Sequence, residues 1–140
     1  MAPASSTTLA MVVDDCQADL QLAVHLLETE GQVTTVLKSK NGLEALKSIE
    51  QRLEGNHAIP GVVFLDLRMP VMGGVEFLKE LSRVLPLHVE APRVYVLTGS
   101  ASDPQRLLVL EHPFVVDYIV KPLVGRDASR ALNPASSDDY

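Results

Sequence analysis

Short, nearly continuous apolar runs alternate along this chain with longer stretches whose apolar residues recur every three or four positions. The runs Thr8–Val13, Val33–Leu37, Val62–Leu65, Val94–Leu97 and Val115–Val120 are rich in β-branched residues, the pattern of strands buried in a parallel sheet. Helical spacing fills the gaps. Leu20, Ala23, Val24 and Leu27 fall on one helical face, Leu46, Ile49 and Leu53 on a second, and Val75, Leu78, Leu81 and Leu85 approximate a third. Asn41 followed three residues later by Glu44 has the form of a capping box. Asp103-Pro104 places a cap residue before a first-turn proline, and Gly31 after Glu30 suits a helix stop. The predicted order is β-α-β-α-β-α-β-α-β with a short last helix, which Asn133-Pro134 stops after about two turns. Alternation of this kind predicts an α/β fold, a parallel sheet with helices on both faces and ligands at the carboxyl ends of its strands.

Composition narrows the picture. The 140 residues suffice for one domain, expected over 8–132, with an N-terminal extension over 1–7 and a loose tail over 133–140. With 46% hydrophobic and 21% charged residues the chain is expected to be globular and soluble, not disordered. No apolar run approaches the roughly 20 residues that span a bilayer, and the polar start does not read as a signal peptide. A lone cysteine, Cys16, offers neither a disulfide nor metal-ligand spacing, and His25, His57, His88 and His112 show no pair spacing that suggests a metal. A cytoplasmic location is the expectation, with no membrane partner. The net charge of −6, with basic residues scattered, points away from nucleic acid.

Four of the five predicted strands end in a chemically active residue: the first in Asp14 and Asp15, the third in Asp66, the fourth in Thr98, the fifth in Lys121. The fold brings these ends to one rim. Three crowded carboxylates repel one another unless a cation sits between them, and all-oxygen ligands favour a hard ion, Mg²⁺ in a cell. Lysine and threonine add a positive charge and a hydroxyl donor for a phosphoryl oxygen.

The segments VVDDC (Val12–Cys16), VVFLDLRMPVMGG (Val62–Gly74), VLTGS (Val96–Ser100) and DYIVKP (Asp117–Pro122) resemble, in order and spacing, the four signature segments of response-regulator receiver domains. The resemblance covers about residues 8 to 123, and HPFVVDYIVKPL (His112–Leu123) is most similar to small single-domain regulators. It implies a flavodoxin-like, doubly wound five-stranded (βα)5 sheet and a phosphoacceptor in two-component signalling. Asp66 is then the phosphoacceptor. Asp15 binds Mg²⁺ directly and Asp14 through water, and the backbone carbonyl of Arg68 completes the protein ligands beside Asp66. Lys121 pairs with the phosphoryl group, Thr98 is the switch hydroxyl, Tyr118 the switch aromatic, and Lys121–Pro122 is cis. Implied partners are a histidine kinase or phosphotransfer protein upstream and a protein contact downstream around Leu107, Leu108, Tyr118 and Val120. A homodimer through that face is a further candidate.

Three departures stand out. Gly73 replaces the family's usual Asp, Arg68 is bulky and basic two residues after the acceptor, and the last helix is short. Arg68 on its own reads as a solvated side chain, with a contact to the phosphoryl group or a shield against water as the alternatives. An aspartyl-phosphate phosphatase also attacks with a strand-end Asp beside Mg²⁺, but uses a second acid where this chain has Arg68. A pseudo-receiver scaffold usually lacks an acidic or lysine position, and none is lacking here. The expected activity is confined to the chain's own phosphorylation and dephosphorylation, without a separate enzymatic substrate.

Overall fold

The computed structural model describes residues 8–29 and 33–133. The expected stop at Gly31, the extension over 1–7 and the tail beyond Asn133 lie outside the described residues. Ten elements alternate without exception: β1 (Thr8–Val13), α1 (Gln17–Thr29), β2 (Val33–Ser39), α2 (Gly42–Glu54), β3 (Val62–Asp66), α3 (Gly74–Val84), β4 (Arg93–Thr98), α4 (Arg106–Leu110), β5 (Val115–Val120) and α5 (Gly125–Leu132). All five strands are parallel, in the order β2-β1-β3-β4-β5. The order reverses between β1 and β3, and the crevice at their carboxyl ends is where ligands settle in such sheets.

Two hydrophobic layers follow from the two-residue period of the strands. Met11, Val13, Val63, Leu65, Val94 and Val96 point to the face covered by α2, α3 and α4, where Ile49, Phe77, Leu81 and Val109 meet them. Ala10, Val12, Val62, Phe64, Tyr95 and Leu97 point to the other face, under Leu20, Ala23 and Leu27 of α1 and Ala128, Ala131 and Leu132 of α5. Both faces of β3 are therefore buried, which explains its unbroken apolar run VVFL. No described helix is long and apolar enough to cross a membrane.

Helix ends show where local signals hold. The Asn41 side chain accepts from Glu44 N at 2.9 Å, while Glu44 Oε1 reaches back one residue further than a capping box requires, to Lys40 N at 3.0 Å. The expected start at Asp103-Pro104 is displaced: α4 begins at Arg106 and spans five residues. The Asp103 carboxylate takes the Gln105 N–H at 2.8 Å, forming a turn, and its remaining capacity goes to Arg68. The α3 face also stops short, with Leu85 as the cap residue after Val84. The short last helix is as expected, ending at Leu132 with Asn133 as its cap.

Candidate functional site

Strand order gathers the strand-end residues. β1 and β3 are neighbours, so Asp14 and Asp15 meet Asp66. Carboxylate oxygens of the three lie within 4.8 Å of one another. The main chain anchors both sides: Asp14 N donates to Ser39 O at 3.0 Å, and Lys121 N donates to Thr98 O at 2.7 Å, continuing the β4–β5 ladder beyond the strands. The Lys121–Pro122 bond is cis. At the start of α3, a side chain on Gly74 would meet the Asp66 carbonyl at 3.0 Å. Glycine there lets the helix approach the end of β3 closely.

Asp14 and Asp66 are buried and Asp15 is exposed. Asp14 Oδ1 accepts the Cys16 N–H at 2.9 Å, so this residue both joins the cluster and shapes the turn into α1. Its Oδ2 lies 2.9 Å from Lys121 Nζ, yet no donor points along a hydrogen-bond direction toward it. Burial pushes the Asp66 carboxyl up to about 7, with the facing Asp14 charge adding to the shift and the Lys121 ammonium opposing it. Burial works against the charged form of Lys121, but Asp19, Asp14 and Asp66 outweigh it and hold the ammonium protonated. The donor set suits a hard cation: oxygen ligands only, clustered, partly buried, with one buried oxygen lacking a hydrogen bond.

Thr98 is buried at the end of β4, its hydroxyl only loosely held: Ser100 N approaches at 3.3 Å and Ser100 O at 3.4 Å. Tyr118, half-buried on β5, donates from its hydroxyl to the same Ser100 carbonyl at 2.8 Å, and Arg106 lies over its ring. Both switch candidates therefore converge on Ser100. Arg68 is not a free solvated side chain. Its guanidinium makes a two-pronged ion pair with Asp103, at 3.0 and 2.7 Å, tying the loop after β3 to the loop after β4. That contact holds the Asp103 carboxyl below the usual range.

Sequence reasoning missed Asp19, whose Oδ2 accepts from Lys121 Nζ at 2.9 Å. Asp15 lies in the bend before α1 and Asp19 in its first turn, so the two share no helical face and the sequence carries no local signal for this pairing. It also missed Asp103 as the partner of Arg68, for which the sequence carries no local signal.

Comparison with known families matches residues 10–133 to the response regulator receiver domain. The chain belongs to that family. An uncharacterized response regulatory protein of Vibrio cholerae is 30% identical over 135 residues, covering 94% of this chain and 51% of the relative. The chain spans about half the length of the first curated relatives it matches, 54% and 51%. Among solved structures, a two-component response regulator from Cytophaga hutchinsonii aligns with a TM-score of 0.81 at 18% identity, over 94% of this chain and 99% of that one. The receiver domain of the sensor histidine kinase PA1611 from Pseudomonas aeruginosa, solved with a magnesium ion in its active-site cleft, aligns with a TM-score of 0.74 at 20% identity, over 91% and 96%. At these identities the structural likeness speaks for the fold, and the flavodoxin-like receiver architecture expected from the sequence is the one observed.

Proposed function

We propose that this receiver domain is the phosphoacceptor of a two-component phosphorelay, taking a phosphoryl group on Asp66 from a histidine kinase or phosphotransfer protein. The observation that carries this reading is the setting of Asp66, a buried strand-end carboxylate between the Asp14–Asp15 pair and the Lys121 ammonium 3.7 Å away. An aspartate oxygen attacking phosphorus needs in-line positioning and neutralised equatorial oxygens more than acid–base help. Lys121 brings a fixed positive charge, and Thr98 a hydroxyl free enough to turn toward a phosphoryl oxygen. Asp15, Asp66, the Arg68 backbone carbonyl and, through water, Asp14 would hold Mg²⁺, whose charge would neutralise the transferring group. The magnesium ion in the cleft of the Pseudomonas receiver supports a cation in this crevice.

The aspartyl phosphate carries more charge and more acceptor oxygens than the aspartate it replaces. Thr98 moving toward it would loosen Ser100, and with it the anchor of the Tyr118 hydroxyl. The face beside Tyr118 exposes Leu107, Leu108 and Val120, a surface suited to a downstream protein or a second copy of the chain. The dispersed basic residues and net charge of −6 speak against nucleic acid as the partner. Arg68, being ion-paired and strongly basic, does not release a proton to a leaving group near neutral pH, which favours self-limited phosphorylation over a phosphatase activity on other substrates.

Acetyl phosphate with Mg²⁺ tests the reading. Intact mass should rise by about 80 Da, one phosphoryl group, and Asp66→Asn should abolish the increase while the fold persists. The same increase in the variant would assign the acceptor elsewhere.

A further inference from the structure

We infer that Asp19 is a positioning residue that holds the Lys121 ammonium on the α1 side of the site, in competition with the phosphoryl group on Asp66. The inference rests on the phosphoacceptor reading and adds a control to the same site.

Three carboxylates surround Lys121 Nζ: Asp19 Oδ2 and Asp14 Oδ2 at 2.9 Å each, and Asp66 Oδ1 at 3.7 Å. Only the contact with Asp19 is also a directed hydrogen bond. In the resting state the lysine is thus bound by α1 more firmly than by the aspartate it is expected to serve. Phosphorylation adds about one to two negative charges at Asp66, and the ammonium must then face that group. One of its resting partners has to yield.

Burial decides which. The Asp14 side chain is 1% exposed, and separating it from the ammonium would strand a carboxylate away from water. The Asp19 side chain is 42% exposed, so water can take over its oxygens when the lysine leaves. Its place in the first turn of α1 also favours the freed carboxylate, because the helix N-terminus carries partial positive charge. Asp19 is therefore the partner that can release Lys121, and its pull is what the phosphoryl group must overcome. A neutral residue at this position leaves the ammonium to Asp14 and Asp66, without the pull from α1.

The experiment uses beryllofluoride with Mg²⁺ as a phosphoryl mimic on the full chain, followed by amide chemical shifts. Asp19→Asn keeps the size and removes the charge. The half-saturating beryllofluoride concentration should fall about two- to tenfold. The half-saturating Mg²⁺ concentration, measured without beryllofluoride, should stay the same or rise, since a nearby negative charge has gone. A purely structural role would weaken both ligands together, and that result, or unchanged beryllofluoride binding, overturns the inference. Asp19→Glu, which retains the charge, should lie nearer wild type. A metal-free stability cycle with Asp19→Asn and Lys121→Met should be non-additive, whereas additivity overturns the pairing itself. If the cycle is coupled but wild type ignores beryllofluoride, the phosphoacceptor reading fails and the competition fails with it, while the ion pair stands.

Discussion

Val71 adopts a φ of 70°, in the left-handed region that β-branched residues rarely enter, with its side chain mostly exposed in the loop after Asp66. Left-handed backbone costs an L-residue about 1–2 kcal/mol, and glycine's extra freedom when unfolded takes back about 0.5–1 kcal/mol. Val71→Gly is therefore expected to stabilise the fold by about 0.5–1 kcal/mol, seen as a Tm higher by roughly 2–4 °C. A lower Tm would mean that contacts of the valine outweigh its backbone. His112 shows a different constraint. Its Nδ1 accepts the Phe114 N–H at 3.1 Å and its Nε2 lies 2.9 Å from Ser82 Oγ, which donates in turn to Leu78 O. The ring must be neutral to accept at Nδ1, and burial holds its pKa below the ordinary value of 6.5. A depressed folded-state pKa means that the unfolded chain takes the proton first, so stability present above about pH 6.5 is lost as pH falls. His112→Gln should shrink the drop in Tm between pH 7 and pH 5. An unchanged drop would place the proton uptake elsewhere.

At the scale of elements, the β4–α4 loop is held from three directions: Thr98 and Tyr118 at Ser100, and Arg68 at Asp103. The Arg68 pair is bidentate and its Asp103 side is nearly buried, which sets it apart from ordinary surface pairs of little consequence. Breaking it should loosen the loop on which both switch candidates converge. Asp103→Asn is expected to lower the Tm and to shift Tyr118 resonances in the free protein. The exchange Arg68→Asp with Asp103→Arg should recover part of both effects. Recovery of neither would assign the role of Asp103 to its hydrogen bond with Gln105 N, which the exchange removes. The same carboxylate still accepts the Gln105 N–H, so the Asp-Pro signal forms a turn just ahead of α4, which starts at Arg106.

Among the described residues, the carboxylates of Asp14, Asp15 and Asp66 crowd at one rim, and a cation there should stabilise the entire fold. Mg²⁺ at a hundred times its Kd contributes about 2.7 kcal/mol if it binds the folded state alone. Asp15 is the informative member of the cluster to remove, because it is exposed and carries no structural bond of the kind Asp14 makes to Cys16. Asp15→Asn should leave the metal-free Tm within a few degrees of wild type and abolish most of the rise in Tm on adding Mg²⁺. A full rise in that variant would locate the ion away from the cluster.

Strand identities were legible because burial on both sheet faces writes itself into adjacent residues, as in VVFL before Asp66. The capping interaction at Asn41 was legible for the same reason, since its partner Glu44 is three residues away. The identities of the strand-end residues, Asp14, Asp15, Asp66, Thr98 and Lys121, could likewise be read in order along the chain. Their distances and partners could not. Lys121 meets Asp19 across 102 positions and Arg68 meets Asp103 across 35, and nothing in either neighbourhood encodes the pairing. Local sequence determined the elements because helices and strands satisfy their periodicity within a few residues. Tertiary structure decided which charges pair, because that depends on strand order and on how much water each carboxylate loses when the sheet assembles.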